Sequence, residues 1–273
     1  MLDSFKVEAE KRGYDITFIN HNISGRSMTY LEHCHYRSVD GVVIACVNFY
    51  DPQVVELVNS DVPVVTIDHV FNNRMAVLSD NVAGLKALVK QAWACGHRRI
   101  AFIHGEKTSV TENRIAGFYQ ACEELGLEIP EEYVRDGVYH DVERCAEETR
   151  ALLALPQRPT CIIFPDDFSA LGGYNALAEA GLSIPDDISV MGYDGIYLSR
   201  VVNPSLVTYQ QNTAALGQTA ADKLIELIEH PRVTLPEQIR VSGRLLIGQV
   251  SPQPLNFGPE LLWRRFFEEN GKP

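Results

Sequence analysis

The sequence lacks the features that would commit it to a membrane-spanning or disulfide-stabilised class of protein. No apolar run approaches the ~20 residues that span a bilayer. None of the 6 cysteines forms a C-x-x-C pair, and most of them lie within apolar stretches. This pattern is typical of buried free thiols in a reducing compartment rather than of a disulfide framework. We therefore expect a cytoplasmic protein without membrane segments.

Basic patches and catalytic motifs are also missing. The 24 lysines and arginines are outnumbered by 36 acidic residues, and the net charge of -12 argues against direct binding to a nucleic acid backbone. No glycine-rich dinucleotide motif follows a strand, and neither a P-loop nor a serine nucleophile elbow is present. His33 and His35 flank Cys34, but alternate residues on a helix point to different faces. The sequence therefore predicts neither an enzyme nor a bound cofactor or metal.

What the sequence does contain is a long alternation of strand-like and helix-like patterns. Short apolar, β-branched runs alternate with amphipathic stretches, and the pattern restarts near residue 77. It predicts an α/β fold of two halves with parallel sheets, right-handed crossovers and helices on both faces. The predicted strands are 15–19, 39–46, 62–67, 77–79, 99–103, 133–139, 160–164, 188–191, 206–209, 239–241 and 245–247.

Two acidic residues follow predicted strands at their carboxyl ends. The run Ile188–Met191 leads through Gly192 and Tyr193 to Asp194, and the strand over 62–67 leads to Asp68. In open α/β sheets, ligands bind just beyond the carboxyl ends of the strands. Both carboxylates are therefore candidate ligand contacts, although a loop aspartate that caps a turn is an equally good interpretation of Asp194.

Six further stretches of the sequence are informative together: Ser79–Gly84, Cys95–Gly105, Asn113–Phe118, Phe164–Gly172, Ile184–Asp194 and Pro204–Gln211. In this order and spacing they resemble the effector-binding core of the LacI family of transcriptional regulators. The resemblance covers about residues 1–251.

The resemblance implies a type I periplasmic-binding-protein-like fold of two Rossmann-like lobes with three crossovers between them. The implied N-lobe comprises residues 1–81 and 213–241, and the implied C-lobe comprises 82–212 and 242–251. Residues 252–273 are expected to form a C-terminal tail with a short helix. The resemblance also implies a homodimer.

It further implies a set of ligand-binding positions between the lobes. Arg114 matches the family's effector-binding arginine, whose planar fork suits two hydroxyls or a carboxylate. Asp194 matches an aspartate that accepts from ligand hydroxyls, and Tyr139 matches an aromatic that stacks on a sugar or base. Asp68 and Gln211 match polar positions, and hinge or cap roles stay open for both. A lid over the core is the alternative for Tyr139.

Two departures from the family pattern are visible. Asp166 stands where many members have asparagine, and an ionised carboxylate only accepts hydrogen bonds, so the ligand is expected to present donors or a positive group there. The family's helix-turn-helix, hinge helix and first strand would precede Leu2, and none is visible in this sequence. Operator DNA binding is therefore expected only through an N-terminal domain outside this chain.

The resulting hypothesis is the ligand-sensing and dimerisation core of a LacI-type regulator that binds a small effector. A sugar or sugar derivative is the first candidate for the effector and a nucleobase the second. The alternative is a free-standing solute-binding protein of a transport system, which would share the fold. Whether the ligand induces or corepresses stays open.

Overall fold

The computed structural model describes residues 1–23 and 25–248, which form two compact units. Unit 1 comprises Met1–Asp80 and Asn212–Ser242, and unit 2 comprises Asn81–Gln211 together with the described residues 243–248. The chain therefore passes from one unit to the other three times. The tail predicted over 252–273 lies outside the described residues. Within the described part of the chain, no helix is long and apolar enough to cross a membrane.

Helices and strands alternate along both units, as the sequence patterns predict. In chain order the elements are α1 (Leu2–Lys11), β1 (Asn22–Ile23), β2 (Arg26–Ser27), α2 (Tyr30–Arg37), β3 (Val42–Ile44), α3 (Pro52–Asn59), β4 (Val64–Ile67), β5 (Met75–Ser79), α4 (Asn81–Ala94), β6 (Ile100–His104), α5 (Ser109–Glu124), β7 (Val134–Asp136), α6 (Val142–Leu153), β8 (Cys161–Ile163), α7 (Ala170–Glu179), β9 (Ser189–Asp194), α8 (Leu198–Val201), β10 (Val207–Gln210), α9 (Thr213–Glu229), β11 (Gln238–Val241) and β12 (Arg244–Leu246).

Unit 1 is built on a parallel sheet with the strand order β11-β5-β4-β3. Its strands β4 and β5 are buried along their whole length. Helix α9 covers one face because Leu216 and Leu224 on its apolar side pack against Val65 and Val77. Helix α1 packs on α9 in turn, so the opening helix of the chain is fixed by a helix about 200 residues later.

The strand predicted over residues 15–19 is wrong. These residues follow α1 in an extended but unpaired course, and Phe18 is 66% exposed. They line an apolar groove of about 850 Å³, together with β3, α1 and α9. Strand β3 pairs only with β4 among the described residues. A β-branched, alternating pattern forms a strand only when a neighbouring strand supplies the hydrogen bonds. Residues 15–19 line the groove next to β3 instead of pairing with it.

Unit 2 is built on a larger sheet with the order β12-β10-β9-β8-β6-β7. All its pairs are parallel except β10 with β12, which is antiparallel. Successive residues of β6 face opposite sides, since Phe102 joins the core under α4 and α5 while Ile103 joins the core under α6 and α7. Helices on both faces and near-continuous apolar strands are the expected state of a parallel sheet, and the predicted α/β fold class is confirmed.

Two glycines allow the helices of each layer to approach closely. A methyl group on Gly117 of α5 would strike the backbone of Val82 in α4, and one on Gly172 of α7 would strike the backbone of Val142 in α6. In both layers the two helices therefore pack with their backbones in contact, α5 on α4 and α7 on α6.

Candidate functional site

The carboxyl ends of β9 and β10 lie side by side in unit 2 and bring two predicted site residues together. Asp194 ends β9 and pairs in register with Gln210 of β10. Gln211 follows and donates from Nε2 to Asp194 Oδ1 at 2.5 Å. The backbone of Asp194 has φ +97°, a conformation that costs free energy for any residue with a Cβ. The side chain remains 24% exposed, so part of it is accessible to a ligand.

Arg114 lies beside Asp194 and is held in a single orientation by three groups of unit 2. It is only 4% exposed, on the first half of α5. Its Nε donates to Asn81 Oδ1 at 2.9 Å, and its Nη1 donates to the carbonyl oxygen of Pro165 at 2.6 Å. Its Nη2 is 3.7 Å from Asp194 Oδ1. A buried guanidinium requires such partners, since desolvation alone would be prohibitive.

Two aromatic rings complete the surroundings of this guanidinium. The Arg114 Cζ lies 3.6 Å from the ring centroid of Tyr193 and 5.5 Å from that of Tyr139. Both distances allow a cation–π attraction, which strengthens as water is excluded. Tyr139 is fixed by its hydroxyl, 2.9 Å from Thr111 Oγ1, and burial raises the pKa of this phenol. It therefore stays neutral and offers a flat apolar face next to polar groups.

Asp166 is 1% exposed and binds the backbone of His140, the residue after Tyr139. Its Oδ1 accepts from the Ser169 backbone N–H at 2.7 Å, and its Oδ2 accepts from the Ser169 hydroxyl at 2.8 Å and the His140 backbone N–H at 2.9 Å. The carboxylate thus joins the start of α7 to the loop that presents Tyr139. Its predicted direct contact with a ligand stays a prediction, because the protein itself already occupies three of its acceptor positions.

Asp167 is a residue of this region that the sequence analysis does not single out. It is 1% exposed and accepts from the Thr208 hydroxyl at 2.5 Å and from the Ile196 backbone N–H at 2.8 Å. It therefore fixes the turn that follows Asp194. Burial, reinforced by the charges of Asp194 and Asp166, raises the pKa of Asp167 to about 7.

We call the cluster of Arg114, Tyr139, Asp166, Asp194 and Gln211 the edge site. The structure brings these five predicted residues together within unit 2. Asn81, Tyr193 and His140 join them, and the first two lie within stretches that resemble the LacI family. Arginine donors, carboxylate acceptors and an aromatic face suit a small ligand with hydroxyl groups and an apolar ring face.

The sixth predicted residue, Asp68, lies in unit 1. It directly follows β4 with φ +61°, and its carboxylate accepts from the Ser79 backbone N–H at 2.6 Å and from the Ser79 hydroxyl at 3.2 Å. Beside it, His69 stacks on Phe49 with a centroid distance of 4.4 Å, and burial lowers the pKa of this histidine. Asp68 is thus placed as a strand-end acceptor next to aromatic rings.

No group of three or more histidine, cysteine, aspartate or glutamate side chains in the described ranges could hold a metal ion. The edge site itself contains one guanidinium, several carboxylates and aromatic rings. Such groups bind and orient a polar organic molecule.

Comparison with known proteins supplies the family context of this geometry. A family model described as a periplasmic binding protein-like domain matches residues 89–250. The chain is 32% identical over 235 residues to the HTH-type transcriptional repressor PurR of Haemophilus influenzae (strain ATCC 51907 / DSM 11121 / KW20 / Rd), covering 84% of this chain and 69% of that protein. The protein of the same name from Mannheimia succiniciproducens is also 32% identical, over 252 residues, covering 90% of this chain and 75% of that protein.

Solved structures agree with the sequence relatives. A LacI family regulatory protein from Chloroflexus aggregans superposes with a TM-score of 0.78 at 28% identity, covering 92% of this chain and 90% of that one. A LacI family regulator from Enterococcus faecium, solved with bound ribose, has a TM-score of 0.78 at 25% identity and covers 93% of each chain. The regulator CelR in complex with cellobiose shares the fold with a TM-score of 0.80 at 24% identity, over 92% of this chain and 77% of that one.

Proposed function

Because this chain belongs to the LacI family of transcriptional regulators, we propose that its edge site binds the small molecule to which such a regulator responds. The chain is the periplasmic-binding-protein-like core of a regulator of this family. The relatives are named repressors, and no feature favours the transport alternative over them. We propose no catalytic role for the carboxylates.

The observation that supports this proposal best is the pair of Arg114 and Asp194 at the carboxyl end of β9. A strained aspartate and a buried arginine cost free energy, and the fold holds both at the one edge of a parallel sheet where ligands bind. Their donors and acceptors match adjacent hydroxyls of a sugar, and the Tyr139 ring supplies a stacking face. Asp68 remains a proposed additional contact from unit 1.

The proposed ligand is a sugar or sugar derivative, and a nucleobase is the second candidate. Two solved relatives contain ribose and cellobiose, which supports a sugar here. We further propose a cytoplasmic homodimer, in which operator DNA is contacted by a helix-turn-helix segment outside residues 1–273. Ligand binding would then bias the DNA-binding segment through a change between two states of the dimer.

A thermal-shift screen against sugars, sugar phosphates and nucleobases tests the proposed site. A ligand at about 100 times its dissociation constant stabilises the folded state by about 2.7 kcal/mol. The Asp194→Asn variant keeps the size of the side chain but removes the charged acceptor, and it should lose most of this shift. The matched control is Asp187→Asn, an equal charge change at an exposed turn before β9.

A shift retained in Asp187→Asn and lost in Asp194→Asn supports ligand binding at the edge site. A shift of full size in Asp194→Asn would place the ligand elsewhere and contradict the proposal. Calorimetric titration of the best compound then gives the affinity ratio of the two variants, expected to be at least tenfold because a charge-assisted hydrogen bond contributes about 1.5–3 kcal/mol.

A further inference from the structure

The charges around the edge site are unequal. Three carboxylates, Asp166, Asp167 and Asp194, gather at the ends of β8 and β9, and Arg114 of α5 lies beside Asp194. Asp194 is the carboxylate that pairs with Arg114, at 3.7 Å. Among the described residues, neither Asp166 nor Asp167 forms an ion pair with this arginine.

The hydrogen-bond partners of the two remaining carboxylates are uncharged. Asp167 accepts from a threonine hydroxyl and a backbone N–H, and Asp166 accepts from a serine hydroxyl and two backbone N–H groups. The histidine ring nearest to Asp166, that of His140, lies 3.5 Å away and is 69% exposed. Hydroxyl and N–H donors satisfy the lone pairs of a carboxylate but do not neutralise its negative charge. Solvent ions screen the charge of a buried carboxylate only weakly.

Both carboxylates lie close enough to act on a ligand at Asp194. Asp166 follows Pro165, whose carbonyl binds Arg114, and it also holds the backbone of His140 beside Tyr139. Asp167 binds the N–H of Ile196, two residues after Asp194, and its own N–H donates to the carbonyl of Tyr193 at 2.8 Å. The two carboxylates therefore hold the backbone beside Tyr139 and the turn that follows Asp194.

We propose that the edge site selects its ligand by charge, preferring a ligand that carries an amine over its uncharged counterpart and rejecting its anionic counterpart. Asp166 and Asp167 determine this preference through the negative potential they impose at Asp194. The inference rests on the proposed ligand-binding function and narrows its ligand class to uncharged and amino sugars, excluding sugar acids and sugar phosphates. At pH 8 the pKa of about 7 leaves Asp167 largely ionised, so the preference is strongest there.

Matched sugars that differ only at carbon 6 test the preference. We would titrate glucose, 6-amino-6-deoxyglucose and glucuronate, and the same three forms of galactose, into the whole chain at pH 8. The amine is expected to bind at least as tightly as the uncharged sugar, and the acid at least about tenfold more weakly. Asp166→Asn and Asp167→Asn should each reduce the acid-to-neutral ratio of dissociation constants by about threefold or more, whereas Asp187→Asn should leave it unchanged.

The possible results of this titration separate charge selection from ligand binding at the edge site. An acid that binds as tightly as the uncharged sugar, with binding lost in Asp194→Asn, would overturn charge selection but keep the proposed ligand site. A ratio unchanged in both Asp166→Asn and Asp167→Asn would equally overturn the assignment to these residues. If one variant fails to fold, the other variant and the ratio in the unaltered chain decide. No binding of any of the six sugars overturns the inference, and the proposed function is then judged by the nucleobases in its own screen.

Discussion

Replacing Asp167 by asparagine should change how the stability of unit 2 depends on pH. The pKa of Asp167 is about 7 in the folded protein, against an ordinary value of 3.8, and burial is the main cause. The folded state therefore binds this proton more tightly than the unfolded state. The protonated carboxyl favours folding at low pH, and this contribution is lost as pH rises from about 4 to about 7.

The size of the effect follows from the pKa difference. Each pH unit of separation corresponds to about 1.4 kcal/mol, and about two of the roughly three units lie between pH 5 and pH 7. The free energy of unfolding of the unaltered chain should therefore fall by about 3 kcal/mol, relative to Asp167→Asn, between pH 5 and pH 8. Asparagine does not titrate, and its oxygen can still accept from Thr208, so the comparison isolates the charge.

Urea unfolding at pH 5, 6, 7 and 8 measures this difference, followed by the fluorescence of Trp93 on α4. A Trp263→Phe background makes Trp93 the sole tryptophan, since the chain contains 2. The signal then reports unit 2 rather than an average over two units that can unfold separately. A stability difference between the two proteins that is constant within about 0.5 kcal/mol from pH 5 to pH 8 would refute the raised pKa.

Three further changes have definite expected outcomes. Gly84→Ala should destabilise unit 2 by about 1–3 kcal/mol in urea unfolding, because the added methyl group would strike the ring of Tyr193. The same change stabilises an isolated helix, so an increase in the stability of unit 2 would contradict this close packing. Burial lowers the pKa of His97 to about 4, so the free energy of unfolding of unit 2 should fall by about 3 kcal/mol as pH falls from 6.5 to 4. If His97→Gln showed the same pH dependence of stability as the unaltered chain, this prediction would be wrong. Glu148→Gln should lower the free energy of unfolding by about 1–2 kcal/mol, because this buried carboxylate accepts from Arg135 of β7 and forms an ion pair with Arg144 of α6. The exposed control Glu147→Gln should change it by less than about 0.5 kcal/mol, and equal effects of the two changes would contradict the importance of burial.

The fold class followed from periodicity because most elements satisfy their own patterns. The amphipathic pattern of residues 213–229 indicates a helix, and α9 is observed over Thr213–Glu229, with Asn212 capping its start. The residues at 15–19 show where this reasoning fails. Their pattern is that of a strand, but strand formation depends on a neighbour in the sheet, and local sequence does not contain that information.

The candidate site was predictable only in part, for a related reason. Asp194 and Asp68 could be found because they directly follow strands, and Arg114 because its stretch resembles a family motif. Asp167 could not be distinguished from its neighbour Asp166 by sequence. Only the register of β8 against β9 turns Asp167 toward the Ile196 turn while Asp166 faces α7 and the Tyr139 loop. Adjacent identical residues thus acquire different roles from their tertiary partners.

Backbone conformation gives an independent indication of where function lies in this chain. Cys46, Asp68 and Asp194 all have positive φ values, of +56°, +61° and +97°, and each stands at or just after the carboxyl end of a parallel strand. Glycine would adopt these conformations more readily, so stability alone does not explain a cysteine and two aspartates there. The positions of Asp68 and Asp194 agree with the ligand contacts proposed for them, because parallel sheets bind small molecules at the carboxyl ends of their strands.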